Sequence, residues 1–286
     1  MKRQTVAAFF AGALLLACAT ASALPQRAGL STVRENALKA AIAAPSRTPA
    51  NAARDRYRHP LETLSFFGVR PSDTVVEIWP FGGWYTEILA PYLAAGGGHY
   101  VAASIGANGN GGVRRMMDSN PALYGRIALA AFPAWDPAET RVPDGTADAV
   151  LTFRNIHNWQ YGYQHNRQPY AEEAFRQMFR MLRPGGTLGI EEHRLPESAD
   201  AAREGSSGYV KVSTVRRLAE AAGFRFVAAS EVNANPRDTA DYPQGVWTLP
   251  PTYTLGDQDR ARYAAIGESD RMTLRFVKPA ISRRRR

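Results

Sequence analysis

The sequence predicts an α/β fold that is doubly wound around a mostly parallel sheet of about seven strands. Short β-branched and apolar runs alternate along the chain with apolar stripes at helical spacing, the order that produces a parallel sheet covered by helices. Turns rich in glycine or proline separate the two kinds of run. No repeat with a period of about 20 to 50 residues is present, which argues against solenoid and propeller folds.

The first strand is predicted at Thr74–Ile78, because this run is β-branched and apolar, as in strands buried on both faces of a sheet. Further strands are predicted at 99–104, 127–130, 147–153, 187–192, 224–229 and 272–277. Helices are predicted at 32–43, 60–67, 84–93, 113–117, 171–182 and 213–222. Gly68 is expected to end the second helix in a left-handed conformation, and Ser213 to cap the last one.

The first residues are typical of a secretory signal peptide. Met1-Lys2-Arg3 is basic, residues 6–17 are apolar, and Ala21-Ser22-Ala23 has the small residues of a cleavage site. The apolar run is shorter than the roughly 20 residues that a membrane-spanning helix needs. We therefore expect residues 1–23 to be removed and the protein to be exported to the periplasm. Cys18 follows a lipobox-like segment and leaves a lipoprotein as the alternative.

Composition assigns the rest of the chain to a helical lead-in at 24–59, a main domain at 60–279 and a basic tail at 280–286. The net charge is +9 and 45% of residues are apolar. The basic residues are spread along the chain and only Arg283–Arg286 form a run. No specific nucleic-acid partner is expected. Contact with a membrane is expected only through the signal peptide or a lipid on Cys18.

Three segments then occur in a characteristic order. Glu77-Ile78-Trp79-Pro80-Phe81-Gly82-Gly83-Trp84-Tyr85 follows the first strand, Asp148-Ala149-Val150-Leu151-Thr152-Phe153-Arg154-Asn155-Ile156-His157-Asn158-Trp159 spans the fourth, and Met181-Leu182-Arg183-Pro184-Gly185-Gly186-Thr187-Leu188 enters the fifth. Together they resemble the motifs of class I S-adenosylmethionine (SAM)-dependent methyltransferases, over about residues 54–278. Residues 54–67 with Trp79, Trp84 and Tyr85 are further similar to a group of predicted secreted methyltransferases.

The resemblance implies a Rossmann-like domain that binds SAM beyond the carboxyl end of the first strand. It implies that Glu77 orients the glycine-rich turn or the methionine amino end, and that Gly82 and Gly83 let the cofactor approach the backbone. Trp79 and Arg154 are expected beside the cofactor. The turn must then form a nest beneath the adenosyl group, with bulky Phe81 and Trp84 leaving room for it.

The sequence departs from this pattern at the end of the second strand. Ser104 stands where an acidic residue is expected to hold the ribose, with Asn108 and Asn110 nearby. A neutral hydrogen bond is about half as strong as a charge-assisted one, so weaker cofactor binding is expected. Asp136 is read either as a contact to the adenine edge or as part of an Asp-Pro turn.

Methyl transfer to a hydroxyl or protonated amine requires a base in the cofactor cleft. The candidates follow the fourth and fifth strands: His157 first, then Asn155, Glu192 and His193. Structural roles are the alternative, with the first two satisfying loop backbone and Glu192 pairing with Arg154 or Arg194. The aromatic segment at 159–166 is either a lid over the acceptor or a plug over the core.

Other chemistries find little support in the sequence. The five histidines show no paired metal-binding spacing, and no metal is expected. A nucleophile elbow, a Walker loop and the Gly-x-Gly-x-x-Gly turn of NAD-dependent oxidoreductases are absent. The leading hypothesis is a SAM-dependent methyltransferase of unknown acceptor. The alternative is a non-catalytic ligand-binding module or degenerate enzyme on the same scaffold, since SAM is made in the cytosol and the signal peptide lacks twin arginines.

Overall fold

The computed structural model describes residues 23–106 and 109–280. Within them eight strands form the central sheet: β1 (Thr74–Ile78), β2 (His99–Ser104), β3 (Ala128–Ala131), β4 (Ala147–Phe153), β5 (Leu182–Leu195), β6 (Val210–Lys211), β7 (Arg225–Ser230) and β8 (Arg271–Val277). The strand order is β3-β2-β1-β4-β5-β8-β7, with β6 paired to the far end of β5.

Helices cover both faces of the sheet. They are α1 (Ala23–Ile42), α2 (Pro49–Ala52), α3 (Asp55–Arg58), α4 (Pro60–Phe67), α5 (Thr86–Ala95), α6 (Gly111–Ser119), α7 (Pro121–Tyr124), α8 (Ile156–Gln160), α9 (Ala171–Met181), α10 (Val212–Ala221) and α11 (Arg260–Ile266). None of these helices combines the length and apolar character needed to span a bilayer.

The sheet is parallel from β3 to β5 and then turns antiparallel. β1 pairs with β2 and β4, and β4 pairs with β5, all in the same direction. β8 runs antiparallel to both β5 and β7. The sheet is thus mostly parallel and doubly wound, which confirms the predicted fold class.

Two apolar cores lie on opposite faces of the sheet because neighbouring residues of a strand point to opposite sides. In β1, Val75 joins the core beneath α1, α4 and α5, whereas Val76 joins the core beneath α9 and α10. Leu38 brings α1 into the first of these cores. The lead-in therefore packs on the main sheet.

Some boundaries differ from the predictions. α1 begins nine residues before the predicted start at Thr32, and α5 begins at Thr86 because the turn after β1 extends through Tyr85. The proposed Ser213 cap is wrong: α10 begins at Val212, and Ser213 donates its hydroxyl to Glu197 at 2.6 Å. Gly68 does end α4 at φ 78°. The signal peptide up to residue 22, Cys18, Asn108 and the tail beyond residue 280 lie outside the described residues.

Phe67 anchors α4 on the sheet, and Gly189 of β5 makes room for it. A Cβ placed on Gly189 would lie 2.7 Å from Phe67 Cγ and from Leu151 Cδ2. We expect Gly189→Ala to lower the free energy of unfolding by about 1–3 kcal/mol, as overpacked cores do. Urea unfolding followed by circular dichroism measures this.

The matched control is Gly205→Ala, because a Cβ there would meet no atom within 4 Å. Its free energy of unfolding should stay within about 0.5 kcal/mol of the wild-type value. Equal destabilisation by both substitutions would contradict close packing between α4 and β5.

Candidate active site at the carboxyl edge of the sheet

The carboxyl ends of β1, β4 and β5 meet at one edge of the sheet. The chain order reverses between β1 and β4, and ligands of doubly wound sheets bind at such a switch point. Nearly all of the predicted site residues lie at this edge: Glu77, Trp79, Gly82, Gly83, Arg154, Asn155, His157, Glu192 and His193. Ser104 and Asp136 lie further along it, after β2 and β3.

Glu77 is buried near the end of β1. Its Oε2 accepts a hydrogen bond from the Tyr100 hydroxyl, which also contacts Thr86 Oγ1 at 2.8 Å. Burial raises the pKa of Glu77 to about 7, although the Tyr100 hydrogen bond opposes the rise. The carboxyl is therefore held in place by neighbouring strands and helices and titrates near neutrality.

The turn after β1 adopts an unusual backbone conformation. Trp79 and Phe81 have φ values of 51° and 47°, in the left-handed region that costs non-glycine residues free energy. A Cβ on Gly83 would lie 2.3 Å from Met116 Sδ, whereas one on Gly82 would meet nothing within 4 Å. The turn thus packs closely on α6 through Gly83 and is open at Gly82.

Trp79 is turned into the core from the turn after β1. Its indole is buried, donates from Nε1 to the Phe132 carbonyl at 2.8 Å, and packs edge-on against Trp159 with ring centroids 6.0 Å apart. The two side chains singled out as potential obstructions, Phe81 and Trp84, line a cavity of about 230 Å³ beside the turn and leave it open. Phe81 is half exposed, and Trp84 donates to the Asn51 carbonyl at 2.9 Å.

Ser104 and Asp136 are both engaged with backbone. Ser104 is buried and donates its hydroxyl to the Gly109 carbonyl at 2.9 Å. Asn110 donates to the carbonyls of Ala102 and Ala130. Asp136 is exposed and accepts a hydrogen bond from the Ala138 amide at 2.8 Å, an arrangement typical of an Asx turn.

His157 and Glu192 form a buried pair across β4 and β5. His157 Nδ1 lies 3.0 Å from Glu192 Oε1, and the other carboxylate oxygen accepts the amide hydrogens of Ile156 and His157. Because a carboxylate oxygen accepts hydrogen bonds, Nδ1 of His157 is the donor of this pair and carries the hydrogen. Nε2 is then free to accept a proton. Among the described residues Nε2 has no hydrogen-bond partner.

The sequence left open whether Glu192 pairs with Arg154 or Arg194, and both arginines have other partners. Arg154 pairs with Glu191 rather than with Glu192, at 2.7 Å. Arg194 pairs with Asp270 and Glu231. Asn155 donates to the Ile78 carbonyl at 2.8 Å and so links the ends of β4 and β1.

His193 lies next to the pair, with its ring centroid 5.4 Å from that of His157. Its Nδ1 is 2.6 Å from Ser269 Oγ. Burial, with added repulsion from the His157 and Arg154 charges, lowers the pKa of His193 well below its usual value. His157, Glu192 and His193 each offer a ligand atom within 4.8 Å of the others, a grouping that histidine spacing in the sequence could not reveal because the residues lie on α8 and β5, about 35 residues apart.

Two clusters of charged side chains, around Glu191 and Glu268, also lie at this edge. Glu191 accepts from Arg154 at 2.7 Å, from Arg271 at 3.0 Å and from the Tyr85 hydroxyl at 3.1 Å. Although burial would raise the pKa of Glu191, Arg271 and Arg154 lower it. This carboxyl is thus ionised and fully engaged with donors.

Glu268, just before β8, collects the second group of arginines. Arg54 and Arg58 of the lead-in lie 2.6 and 3.2 Å from it, and Arg271 lies 3.2 Å away. Burial would raise the pKa of Glu268, but Arg58 and Arg271 lower it to about 2. Burial and the nearby Arg154 lower the pKa of Arg58 to about 9. Sequence reasoning did not name Arg54, Arg58, Glu268 or Arg271 as site residues. Arg54 and Arg58 lie in the segment at 54–67 that carries part of the resemblance, whereas Glu268 and Arg271 lie in none of the recognised segments.

Two adjoining cavities open at this edge. The first, of about 230 Å³, is lined by Glu77, Trp79 and Gly82 of the β1 turn. The second, of about 260 Å³, is lined by His157, His193 and Trp247. Both are bordered by Arg54, Arg58 and Arg154. The arginines therefore lie between the glycine-rich turn and the imidazole pair.

The aromatic segment at 159–166 divides between the two roles considered for it. Trp159 is fully buried against Trp79 and Phe175, as a plug over the core would be. Tyr163 is 46% exposed and packs on the outer edge of Trp79, as a lid residue would.

No family model matches the sequence, and no curated protein is similar to it in sequence. Solved structures are nonetheless similar in fold. A SAM-dependent methyltransferase from Aquifex aeolicus aligns with 85% of this chain and 98% of its own, with a TM-score of 0.52 and 13% identity. The chain is thus similar in fold to solved SAM-dependent methyltransferases.

Two further structures show what this fold supports in other proteins. Haemonchus contortus phosphoethanolamine N-methyltransferase 2, solved in complex with SAM, aligns with 78% of this chain and 53% of its own, with a TM-score of 0.51 and 15% identity. The [4+2]-cyclase SpnF aligns with 89% of this chain and 94% of its own, with a TM-score of 0.54 and 15% identity. Since one fold carries more than one reaction, function must be argued from the site.

The pKa of Glu77 makes stability depend on pH. Between the unfolded value of 4.5 and the folded value of about 7, the folded protein keeps a proton that the unfolded chain has released. Stability from this group is therefore lost as pH rises through that window. We expect Glu77→Gln, which cannot ionise, to gain about 2 kcal/mol relative to wild type between pH 5 and pH 8.

Urea unfolding of both proteins at several pH values measures this difference. Glu62→Gln, at an exposed position on α4, is the matched control and should follow wild type throughout. A difference between Glu77→Gln and wild type that does not change with pH would mean that Glu77 ionises normally in the folded state.

Proposed function

We propose that this protein is an exported SAM-dependent methyltransferase that acts on a small acceptor in the cell envelope. The observation that carries the proposal is the His157–Glu192 pair, which faces a cavity next to the glycine-rich turn in a domain with the methyltransferase fold. A base held at that position suits an acceptor that must lose a proton before it is methylated.

The first cavity fits the amino-acid end of the cofactor. The backbone at Gly82 is open, and the Glu77 carboxyl borders the same space, where it can accept a hydrogen bond from an ammonium group. When bound, SAM supplies a methyl group on a sulfonium, which a nucleophile can attack in line. Glu77 would orient this end of the cofactor toward the second cavity.

His157 performs the proton transfer. Glu192 keeps Nδ1 protonated, so Nε2 can take the proton from the acceptor's hydroxyl or ammonium group and free a lone pair on its oxygen or nitrogen. That lone pair would displace the methyl group from the sulfonium of bound SAM, whose sulfur would keep the electrons of the broken bond. Asn155 braces the ends of β4 and β1 and thereby holds the base and the turn at a fixed separation.

A second candidate function is a ligand-binding module without methyl transfer on the same scaffold. Trp79 favours it, because its indole is buried and already hydrogen-bonded to the Phe132 carbonyl instead of being free for a cofactor. Ser104 favours it as well, since its hydroxyl is already bound to Gly109 instead of being free for a ribose. The two candidates differ in whether SAM binds at all.

Export rests on the first 23 residues, and we expect the mature chain to begin at Leu24. Mass spectrometry of the protein recovered from the periplasm measures its N-terminus. An N-terminus at a lipidated Cys18 would replace the soluble form with a membrane-anchored one, and Cys18→Ala would then release the protein. Recovery of the full-length chain from the cytosol alone would contradict export.

The methyltransferase proposal is tested first by isothermal titration with SAM, which we expect to bind with a Kd below about 1 mM. Transfer of label from methyl-tritiated SAM to an envelope extract should then fall by about 10²–10⁴-fold in His157→Ala, as loss of a general base produces. The Kd for SAM should stay unchanged, because His157 lines the second cavity and not the first.

His99→Ala removes an exposed histidine at the start of β2 and should retain full transfer. Glu192→Gln should shift the pH–rate profile in addition to slowing transfer, which a purely structural role would not do. Absence of SAM binding at 1 mM would reject the methyltransferase proposal and favour the binding module.

A further inference from the structure

We propose that Arg54, Arg58 and Arg154 form an anion-binding subsite, and that the acceptor carries a carboxylate or phosphate group that they hold beside His157. The acceptor part of this inference rests on the proposed methyltransferase function. The subsite itself follows from charge and geometry at the two cavities.

Positive charge exceeds negative charge in this cluster. Four arginines, Arg54, Arg58, Arg154 and Arg271, share two carboxylates, those of Glu191 and Glu268. The other carboxyls at the edge have their own partners, since Glu77 is bound to Tyr100 and Glu192 to His157. The arginines share the carboxylates of Glu191 and Glu268, so the cluster keeps two more positive than negative charges, although buried charges are normally balanced.

Unused donors point to the same place. Arg54 donates from Nε to Glu268, while its Nη2 is buried with no hydrogen-bond partner. Arg58 also donates only from Nε among the described contacts, and its guanidinium lies 4.7 Å above the Trp84 ring. Planar guanidinium groups with free nitrogens match the oxygen geometry of carboxylates and phosphates.

The backbone supports a functional role for Arg154. Arg154 follows β4, and its φ of 62° lies in the left-handed region, which non-glycine residues rarely adopt. Such strain persists where surrounding structure holds a residue in a useful position. Here it keeps the Arg154 guanidinium between the two cavities, against Glu191.

The same charge argues against a cation at His157, Glu192 and His193. Both oxygens of Glu192 already accept hydrogen bonds from backbone amides, and the arginines nearby repel a metal ion. Burial first, and then the charge of Arg154, lower the pKa of Arg58, so another positive charge here is unfavourable. An anionic ligand would relieve that repulsion.

The second cavity limits the size of this ligand. Its volume of about 260 Å³ lies just below the range of roughly 300–1,000 Å³ that drug-sized ligands occupy. Trp247 forms an aromatic wall 6.0 Å from the His157 ring. A small molecule with its anion on the arginines and its nucleophile toward Nε2 fits this space, whereas a polymer could enter only with an end group.

The test is calorimetric titration of the purified protein at constant ionic strength with inorganic phosphate, and with glycerol 3-phosphate against glycerol. We expect saturable binding of both phosphates and none of glycerol. Arg54→Gln should weaken phosphate binding about tenfold or more, as loss of a charge-assisted hydrogen bond does. Arg54→Lys keeps the charge but lacks the planar guanidinium group, so its affinity for phosphate should lie between those of wild type and Arg54→Gln.

Arg216→Gln is the matched control, because it removes one arginine charge from the exposed face of α10 and should bind phosphate as wild type does. Equal weakening by Arg54→Gln and Arg216→Gln, or binding that does not saturate, would overturn the subsite. Circular dichroism of each variant separates loss of binding from loss of fold, and the wild-type titration stands without any variant.

Titration with SAM in the presence of saturating phosphate separates two sources of the anion. Simultaneous binding supports an acceptor subsite, whereas one-to-one competition would assign the arginines to the cofactor's carboxylate and overturn the acceptor inference. Phosphate binding without any SAM binding would reject the methyltransferase proposal and leave the anion subsite in place. SAM binding without phosphate binding would reject the anion subsite and leave the methyltransferase proposal in place.

Discussion

The ion network around Glu191 and Glu268 is the constraint on which the carboxyl edge depends. Arg271 bridges both carboxylates, while Arg54 and Arg58 bring the lead-in to Glu268. Removing one partner from a buried network leaves an uncompensated charge, which costs more than the pair contributes. The lead-in, β5 and the start of β8 are thus bound together at the place where the two cavities open, and the lead-in becomes part of the site.

This arrangement assigns different tasks to the two halves of the edge. The β1 turn is packed tightly, with Gly83 against Met116 and Trp79 against Trp159, and is open only at Gly82. The β4–β5 half holds ionisable groups in defined states, with Glu192 orienting His157 and the arginines keeping Glu191 ionised. Binding and proton transfer would then occur on opposite sides of one arginine cluster.

Much of the fold was accessible from sequence because its signals are local. β1, β2 and β4 begin and end where the runs of β-branched and apolar residues do, and Gly68 ends α4 as its lack of a side chain allows. The missed features depend on neighbours distant in sequence: β6 exists only because it pairs with β5, and Ser213 is drawn to Glu197 instead of capping α10.

By itself the sequence determined the alternation of strands and helices, and it placed polar residues, His157 and Glu192 among them, at or just after the ends of strands, since these features follow from periodicity and position along the chain. Only the tertiary structure decided which of those residues meet. It paired His157 with Glu192 and Arg154 with Glu191, and it turned Trp79 inward. It also placed Arg54 and Arg58 against Glu268, which lies more than 200 residues later in the sequence. Long-range electrostatic pairing leaves no periodic trace in a sequence, because it depends on where distant side chains lie after folding.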